Sequence, residues 1–135
     1  MKCLSLMPPW GYLLLTVKDV ENRTWRSDFR GPCLIHHSKT WDSHALAVIR
    51  RIDPSIIENP EWDSANGMII GKVTFTICKY RFPDENANLY SKWHIPGQYG
   101  YVRTNPVIFD KPIPYRGRPF FFDVPDEIMP AEYRR

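Results

Sequence analysis

Lys18, Glu21 and Arg23 set two cations and one carboxylate within a few residues of one another, and Trp10 and Trp25 bracket them in the chain. These are the groups that recognise a nucleobase and its phosphate. Rings stack, cations meet the phosphate, and a carboxylate accepts hydrogen bonds from a base amino group. A carboxylate beside two cations stays ionised at neutral pH. Glu21 is therefore expected to be a hydrogen-bond acceptor, or a weak base for activating water, rather than a general acid. The plainer alternative is an ion pair between Glu21 and Arg23 that fixes a strand and shapes a pocket floor. Lys18 also has two readings. At a helix C-terminus its ammonium meets the helix dipole, worth at most about 1 kcal/mol. Pointed into a cleft, it binds phosphate or polarises a carbonyl.

Trp25 sits among polar neighbours and is the better stacking candidate, worth roughly 1–3 kcal/mol per base. Trp10 lies on an apolar helix face and is expected in the core. Arg26, Arg30 and Lys39 either extend a cationic rim or simply solvate the surface. His36 and His37 are neighbours in a strand, so they point to opposite faces. One is expected to look into the mouth of a barrel and the other to lie on the surface. Tyr99 and Tyr101 share a strand face and either line the cleft or pack ordinarily. No metal is expected, because Cys33 and His36 have no companions at zinc-ligand spacing. His37 and Ser38, adjacent in a strand, cannot face each other as a hydrolase pair. No phosphate-cradling glycine loop or dinucleotide fingerprint occurs, and no cofactor is expected.

The elements that must position these residues belong to one domain. The chain has 135 residues and is 43% hydrophobic, enough to bury about two-thirds of its unfolded surface. No apolar run reaches the roughly 20 residues that span a bilayer, and neither a membrane partner nor a secretory signal is expected. Cys3, Cys33 and Cys78 are odd in number and far apart, which predicts a reducing, cytoplasmic setting. Charge is uneven. Residues 1–51 carry eight Lys/Arg against four Asp/Glu, whereas 52–70 carry four acids and no base. That predicts a basic face and an acidic loop, or ordinary charge scatter.

Residues 3–6 read as a first strand. Pro9 opens a helix in which Trp10, Leu13, Leu14 and Val17 form one buried face, and Lys18 falls at its end. Val20–Trp25 is extended, with Glu21, Arg23 and Trp25 pointing one way. Cys33–His37 is a strand and Trp41–Arg51 a helix. Residues 53–67 form a loop. Met68–Cys78 is the clearest strand, with Ile69, Val73, Phe75 and Ile77 on one face and Gly71 marking a bend or close approach. Residues 81–98 are loop-like with one short helix. Tyr99–Arg103 and Val107–Phe109 are strands joined at Asn105–Pro106, and Pro112, Pro114 and Gly117 make a turn. Phe120–Val124, apolar on both faces, reads as a central buried strand. The expectation is a mostly β or α+β fold. It is a small twisted barrel of about five or six mostly antiparallel strands with two or three short helices.

At these residues the chain resembles the ASCH domains, named for activating signal cointegrator homology, which share the PUA-like barrel. Their signature is Pro-Trp, a helix, then Gly-x-Lys-x-x-Glu-x-Arg. Here it reads Pro9-Trp10, then Thr16-Val17-Lys18-Asp19-Val20-Glu21-Asn22-Arg23. The family's Arg-Gly turn and following strand are matched by Arg30–His37, its central strand by GMIIGKVTF (67–75) and its closing strands by QYGYVRTNPVIFDKPIPYRG (98–117). The resemblance covers nearly the whole chain and is strongest to the cointegrator domain and the small EOLA-like proteins. It implies a PUA-like barrel with the signature lysine in its cleft. Two departures stand out. Thr16 replaces the signature glycine, and Glu21 stands where small bacterial N4-acetylcytidine amidohydrolases of the family carry Thr.

Three functions fit these residues. One is a module binding RNA, single-stranded nucleic acid or a nucleotide-like molecule through Lys18, Glu21, Arg23, Trp25, Arg26, Arg30, His36, Lys39, Tyr99 and Tyr101. Another is a hydrolase on a modified nucleobase or nucleoside, or a ribonuclease, with Lys18 and Glu21 as catalytic groups. The last is a protein-interaction module with an exposed apolar patch around Trp93–Tyr101. Fold resemblance does not choose among them.

Overall fold

The computed structural model describes residues 1–84 and 91–134. Among these, strands dominate: β1 (Lys2–Leu6), β2 (Val20–Arg23), β3 (Gly31–His37), β4 (Met68–Tyr80), β5 (Tyr99–Pro114) and β6 (Phe121–Asp123). The helices are α1 (Trp10–Leu14) and α2 (Ala45–Ile52), with single 3-10 turns at Pro60–Asp63, Asp126–Ile128 and Ala131–Tyr133. The strands form one sheet in the order β2-β5-β4-β3-β1-β6, antiparallel throughout except for β1 beside β3. The sheet curls into a half-barrel, so the fold is the small, twisted, mostly antiparallel β architecture expected. No helix among the described residues is long and apolar enough to cross a membrane. The three cysteines are free. Burial raises the thiol pKa of Cys3 and Cys33, which keeps both protonated.

The two ends of the sheet approach each other through side chains. Arg23, at the end of edge strand β2, donates from Nη2 to the Ser5 carbonyl on β1 at 3.0 Å. Just beyond β2, the Trp25 ring meets Phe120 at 5.1 Å and Phe121 at 5.5 Å, at and beside the opposite edge strand β6. Tyr101 also donates its hydroxyl to the Trp25 carbonyl at 2.8 Å. Inside the curl, Leu4, Leu6, Leu14, Ile35, Val73 and Phe75 form the main core. A second core lies on the outer face, where Met129, Val124 and Phe109 cover Cys3, Leu34 and Ile69. The central strands are therefore buried on both sides.

Several local expectations change. Ile69 does not share a face with Val73 and Phe75; it belongs to the outer core. A register shift between Ile69 and Gly71 reverses the alternation there. Gly71 does mark a close approach, since a Cβ on it would lie 2.3 Å from the Val107 carbonyl oxygen. Ile77 is exposed. Tyr99–Arg103 and Val107–Phe109 are one strand, β5, bent at Asn105, whose φ is 50°. Pro112 and Pro114 lie within it, and the turn comes after them. The apolar run at 120–124 forms an edge strand, not a central one. Both its faces are apolar because Phe121 serves the inner core and Phe122 the outer. The short helix expected within 81–98 overlaps residues 85–90, outside the described residues.

Helix α1 is one turn shorter than its apolar spacing predicts, and Val17 is exposed. Thr16 turns its hydroxyl back to the Tyr12 carbonyl at 2.8 Å, and the Lys18 N–H returns to Leu13 at 2.8 Å. Such side-chain bonding competes with continued helix. The carbonyls left at this end go to Arg103, which donates to Leu14 at 2.7 Å and Thr16 at 3.0 Å. Arg103, not Lys18, is the cation at the end of the helix.

Candidate functional site

The turn after α1 carries Lys18 inward, and the alternation of β2 puts Glu21 and Arg23 on the same side. Pairing with β5 holds them there, Glu21 opposite Tyr101 and Arg23 opposite Tyr99. Lys18 Nζ donates to Glu21 Oε1 at 3.0 Å and to the Val20 carbonyl at 2.6 Å. Arg23 Nε donates to the other carboxylate oxygen, Oε2, at 2.9 Å. Lys18 and Glu21 are buried, at 4% and 6% exposure. Burial by itself would raise the Glu21 pKa, but the charges and hydrogen bonds of Lys18 and Arg23 outweigh it and hold the carboxyl below its ordinary range. Glu21 is thus a fixed carboxylate with one donor on each oxygen and lone pairs left on both.

Each cation lies over one tryptophan. Lys18 Nζ is 5.5 Å from the Trp10 ring centre and Arg23 Cζ is 5.9 Å from that of Trp25. The bracketing seen in sequence is therefore also spatial. Trp10 packs against the core as expected, but it is only half-buried and also lines the cleft. Its indole N–H donates to Asp42 Oδ2 at 2.7 Å, while Asp42 Oδ1 accepts from the His44 N–H at 3.0 Å. That pins the ring as a wall. Trp25 is also half-buried and lines the same cavity, its ring packed against Tyr101, Phe120 and Phe121.

Between them opens a cavity of about 490 Å³ with Glu21, Arg23, Thr24 and Asp42 on its lining. A smaller space of about 220 Å³ continues past Trp10 and Glu21 to Lys18 and Val48. The larger volume lies within the range of small-molecule sites, about 300–1,000 Å³. Asn22 and Gln98 line both spaces. Asn22 ties the far rim down, donating to the Trp93 carbonyl and accepting from the Ile95 N–H, each at 2.8 Å.

The other residues singled out in sequence fall elsewhere. Arg26 is exposed and pairs with Asp28 at 2.7 Å. Arg30 turns back onto its own loop and donates to the carbonyls of Ser27 and Phe29. Tyr101 is fully buried in the inner core and does not line the cleft. Tyr99 is half-buried against Tyr80. The apolar patch expected around Trp93–Tyr101 is not on the surface at its two ends, since Trp93 and Tyr101 are both buried.

Neither histidine is a surface residue. His37 faces inward, and its Nε2 accepts from the Tyr12 N–H at 3.2 Å. Burial, with His36 adding to it, pushes its pKa down to about 4. A Cβ on Gly11 would lie 2.4 Å from the His37 ring, so only glycine lets α1 sit on it. His36 faces outward, away from the cleft. Its Nε2 lies 2.7 Å from the Tyr115 carbonyl and its Nδ1 is 2.8 Å from the Ser5 hydroxyl. A carbonyl only accepts, so Nε2 carries the hydrogen and Nδ1 accepts from Ser5. Burial lowers the His36 pKa, partly offset by the Tyr115 bond. His36 and Lys39 line a different cavity, which shares only Ser5 with the cleft.

Sequence reasoning missed Asp42, Asn22 and Gln98 as cleft residues. Nothing in their local spacing marks them. Asp42 follows a tryptophan in a loop, and only the packing of that loop against α1 brings it to Trp10. No protein-family model matches the chain, and no curated protein matches it.

Proposed function

We propose that this chain is an ASCH-type module that holds a nucleotide or a short single-stranded stretch of nucleic acid in the Trp10–Trp25 cleft. The observation that carries the reading is the ionised Glu21, fixed between two cations in a cavity that two indoles also line. A flat base fits against such walls, and stacking is indifferent to which base is present. The free lone pairs of Glu21 accept from a base amino or ring N–H. The remaining N–H groups of Arg23 meet a base carbonyl or a phosphate oxygen. Lys18 acts chiefly by keeping Glu21 ionised and oriented, because its ammonium is buried and already donates to two acceptors. The resemblance of Pro9–Arg23 to the family signature supports the same reading.

The test is binding of labelled single-stranded RNA and DNA octamers to the wild type and to Arg23→Ala. Affinity is expected to fall only modestly with salt, because Arg23 is the one cation of the cleft left to meet a phosphate and release its counterion. Arg23→Ala is expected to weaken binding roughly tenfold. A folded Arg23→Ala protein that binds like the wild type would remove the cleft from the site.

A second reading, hydrolysis of a modified nucleoside, is favoured by one observation: Thr24 lines the same cavity as Glu21. There Glu21 would orient or deprotonate water and Lys18 would stabilise developing negative charge. Incubation with N4-acetylcytidine, followed by chromatography for cytidine, decides it. Turnover that disappears in Glu21→Gln would replace binding with catalysis as the cleft's function.

A further inference from the structure

We propose that the second cavity, built by Lys39, Arg116 and Arg118 on the outer face of the sheet, is a phosphate-binding site separate from the cleft. It has a volume of about 800 Å³, and no Asp or Glu is among its lining residues. Among the described residues, none of the three cations forms an ion pair. Three like charges around one open space repel each other, and an anion between them removes that repulsion. Arginine forks match phosphate oxygens two at a time, and a lysine ammonium adds a point charge. Ser38 also lines the space and brings a hydroxyl donor.

The frame that carries these charges is held in place. Tyr115 donates its N–H to the Gly67 carbonyl at 3.2 Å and accepts from His36 at 2.7 Å. Gly117, between the two arginines, sits directly on the Ser5–His36 pair. A Cβ there would lie 2.9 Å from both Ser5 Oγ and His36 Cε1. Arg116 and Arg118 thus flank a residue seated against a part-buried hydrogen-bonded pair. The Lys39 stem lies across Gly67, whose φ of +76° and missing Cβ make room for it. Backbone so fixed lowers the ordering cost of binding. His36 acts here as a positioning residue, holding Tyr115 and so the arginines that follow.

A phosphate could reach this cavity as a terminal monoester or as the diester of a polynucleotide backbone. The site does not depend on the reading of the cleft, and the experiment separates the two. Amide NMR spectra of the full chain are recorded during titration with pyrophosphate. Saturable shifts are expected at Ser38, Lys39 and residues 116–118 at pyrophosphate concentrations that move the amides of residues 21–25 little. In Arg116→Ala/Arg118→Ala the apparent affinity is expected to fall roughly tenfold or more. Octauridylate with and without a 5′-phosphate is then compared. Shifts at 116–118 only with the 5′-phosphate assign a monoester site, and equal shifts with both assign the backbone diester. A response to pyrophosphate and to neither oligomer assigns small phosphate compounds. Failure of residues 116–118 to respond to pyrophosphate in the wild type, or an equal response in the double variant, overturns the proposal. Shifts at 116–118 with no oligomer effect at residues 21–25 would leave this site standing and remove the cleft reading.

Discussion

In the cleft, both cations are already engaged by the protein. Lys18 and Arg23 each donate to Glu21, each lies over an indole, and each also holds a backbone carbonyl, Val20 or Ser5. In the outer cavity, Lys39, Arg116 and Arg118 stand around open space with no carboxylate lining it. The sequence placed Lys39 on the rim of the cleft and did not mark Arg116 or Arg118, yet the two regions offer opposite chemistry. The cleft presents a fixed acceptor and flat walls, and its positive charge is largely neutralised from within. The outer cavity presents uncompensated positive charge on a pinned backbone. A count of Lys and Arg does not measure what a surface offers a ligand; the partners those residues already have decide that.

Stability separates the two regions most strongly. Lys18→Met leaves Glu21 buried with one partner fewer, and breaking such a pair costs about 3–5 kcal/mol. Arg116→Ala and Arg118→Ala should each change stability by less than about 0.5 kcal/mol. Urea denaturation measures both. If Lys18→Met costs no more than the exposed arginines, the two regions are not different in the way described. Lys18→Met/Glu21→Leu should recover much of the loss, because it removes the stranded charge as well.

The next effect comes from the histidines, which divide between the two faces at the end of β3. His37 is buried and neutral, with His36 opposing its protonation and Asp63 favouring it. The unfolded chain binds a proton near pH 6.5, the folded chain only near pH 4. The unfolded state therefore holds more protons between these values. Stability is full above pH 6.5 and falls by about 3 kcal/mol as pH drops towards 4. His37→Gln should flatten the part of the pH profile between pH 6.5 and 4 that this group supplies, as measured by thermal or urea unfolding. An unchanged slope in a folded variant would mean that another group supplies it.

A smaller effect sharpens the picture of the cleft wall. Trp10→Phe keeps an aromatic ring but strands Asp42 Oδ2, and should cost about 1 kcal/mol of stability. Ligand binding should then weaken through loss of ring placement rather than loss of a stacking surface. Equal stability of wild type and Trp10→Phe would show that the Asp42 bond does not hold the wall. The smallest effect is expected at Arg26→Ala, whose exposed pair with Asp28 is worth about 0–1 kcal/mol. A large loss there would give the loop after β2 a role the contrast does not include.

Local chemistry was legible where neighbours in the chain remain neighbours in space. The spacing of Lys18, Glu21 and Arg23 correctly brought them together, because a turn followed by an alternating strand leaves little freedom. Gly71 was legible as a close approach, and the strands at 2–6, 20–23, 31–37 and 68–80 follow from their apolar patterns and turn residues. Errors appeared where a distant contact overrode a local pattern. Trp10 has the spacing of a core residue and packs against the core, but its indole N–H is drawn to Asp42 and its ring also lines the cleft. The run at 120–124 has the composition of a central strand but lies at an edge, covered on both sides.

A mostly β fold and a carboxylate held ionised between two cations follow from the chain alone, because alternation, turn chemistry and short-range charge act over a few residues. Packing settles the rest: Lys18 is enclosed rather than offered, Arg103 and not Lys18 serves the helix end, and His36 and Lys39 belong with Arg116 and Arg118 in a cavity of their own. Those outcomes depend on which strands pair and how the sheet curls, which joins residues 31 and 79 positions apart, as in Ser5–His36 and His36–Tyr115. Burial and hydrogen-bond partners at that range are properties of packing, and no local window of the chain contains them.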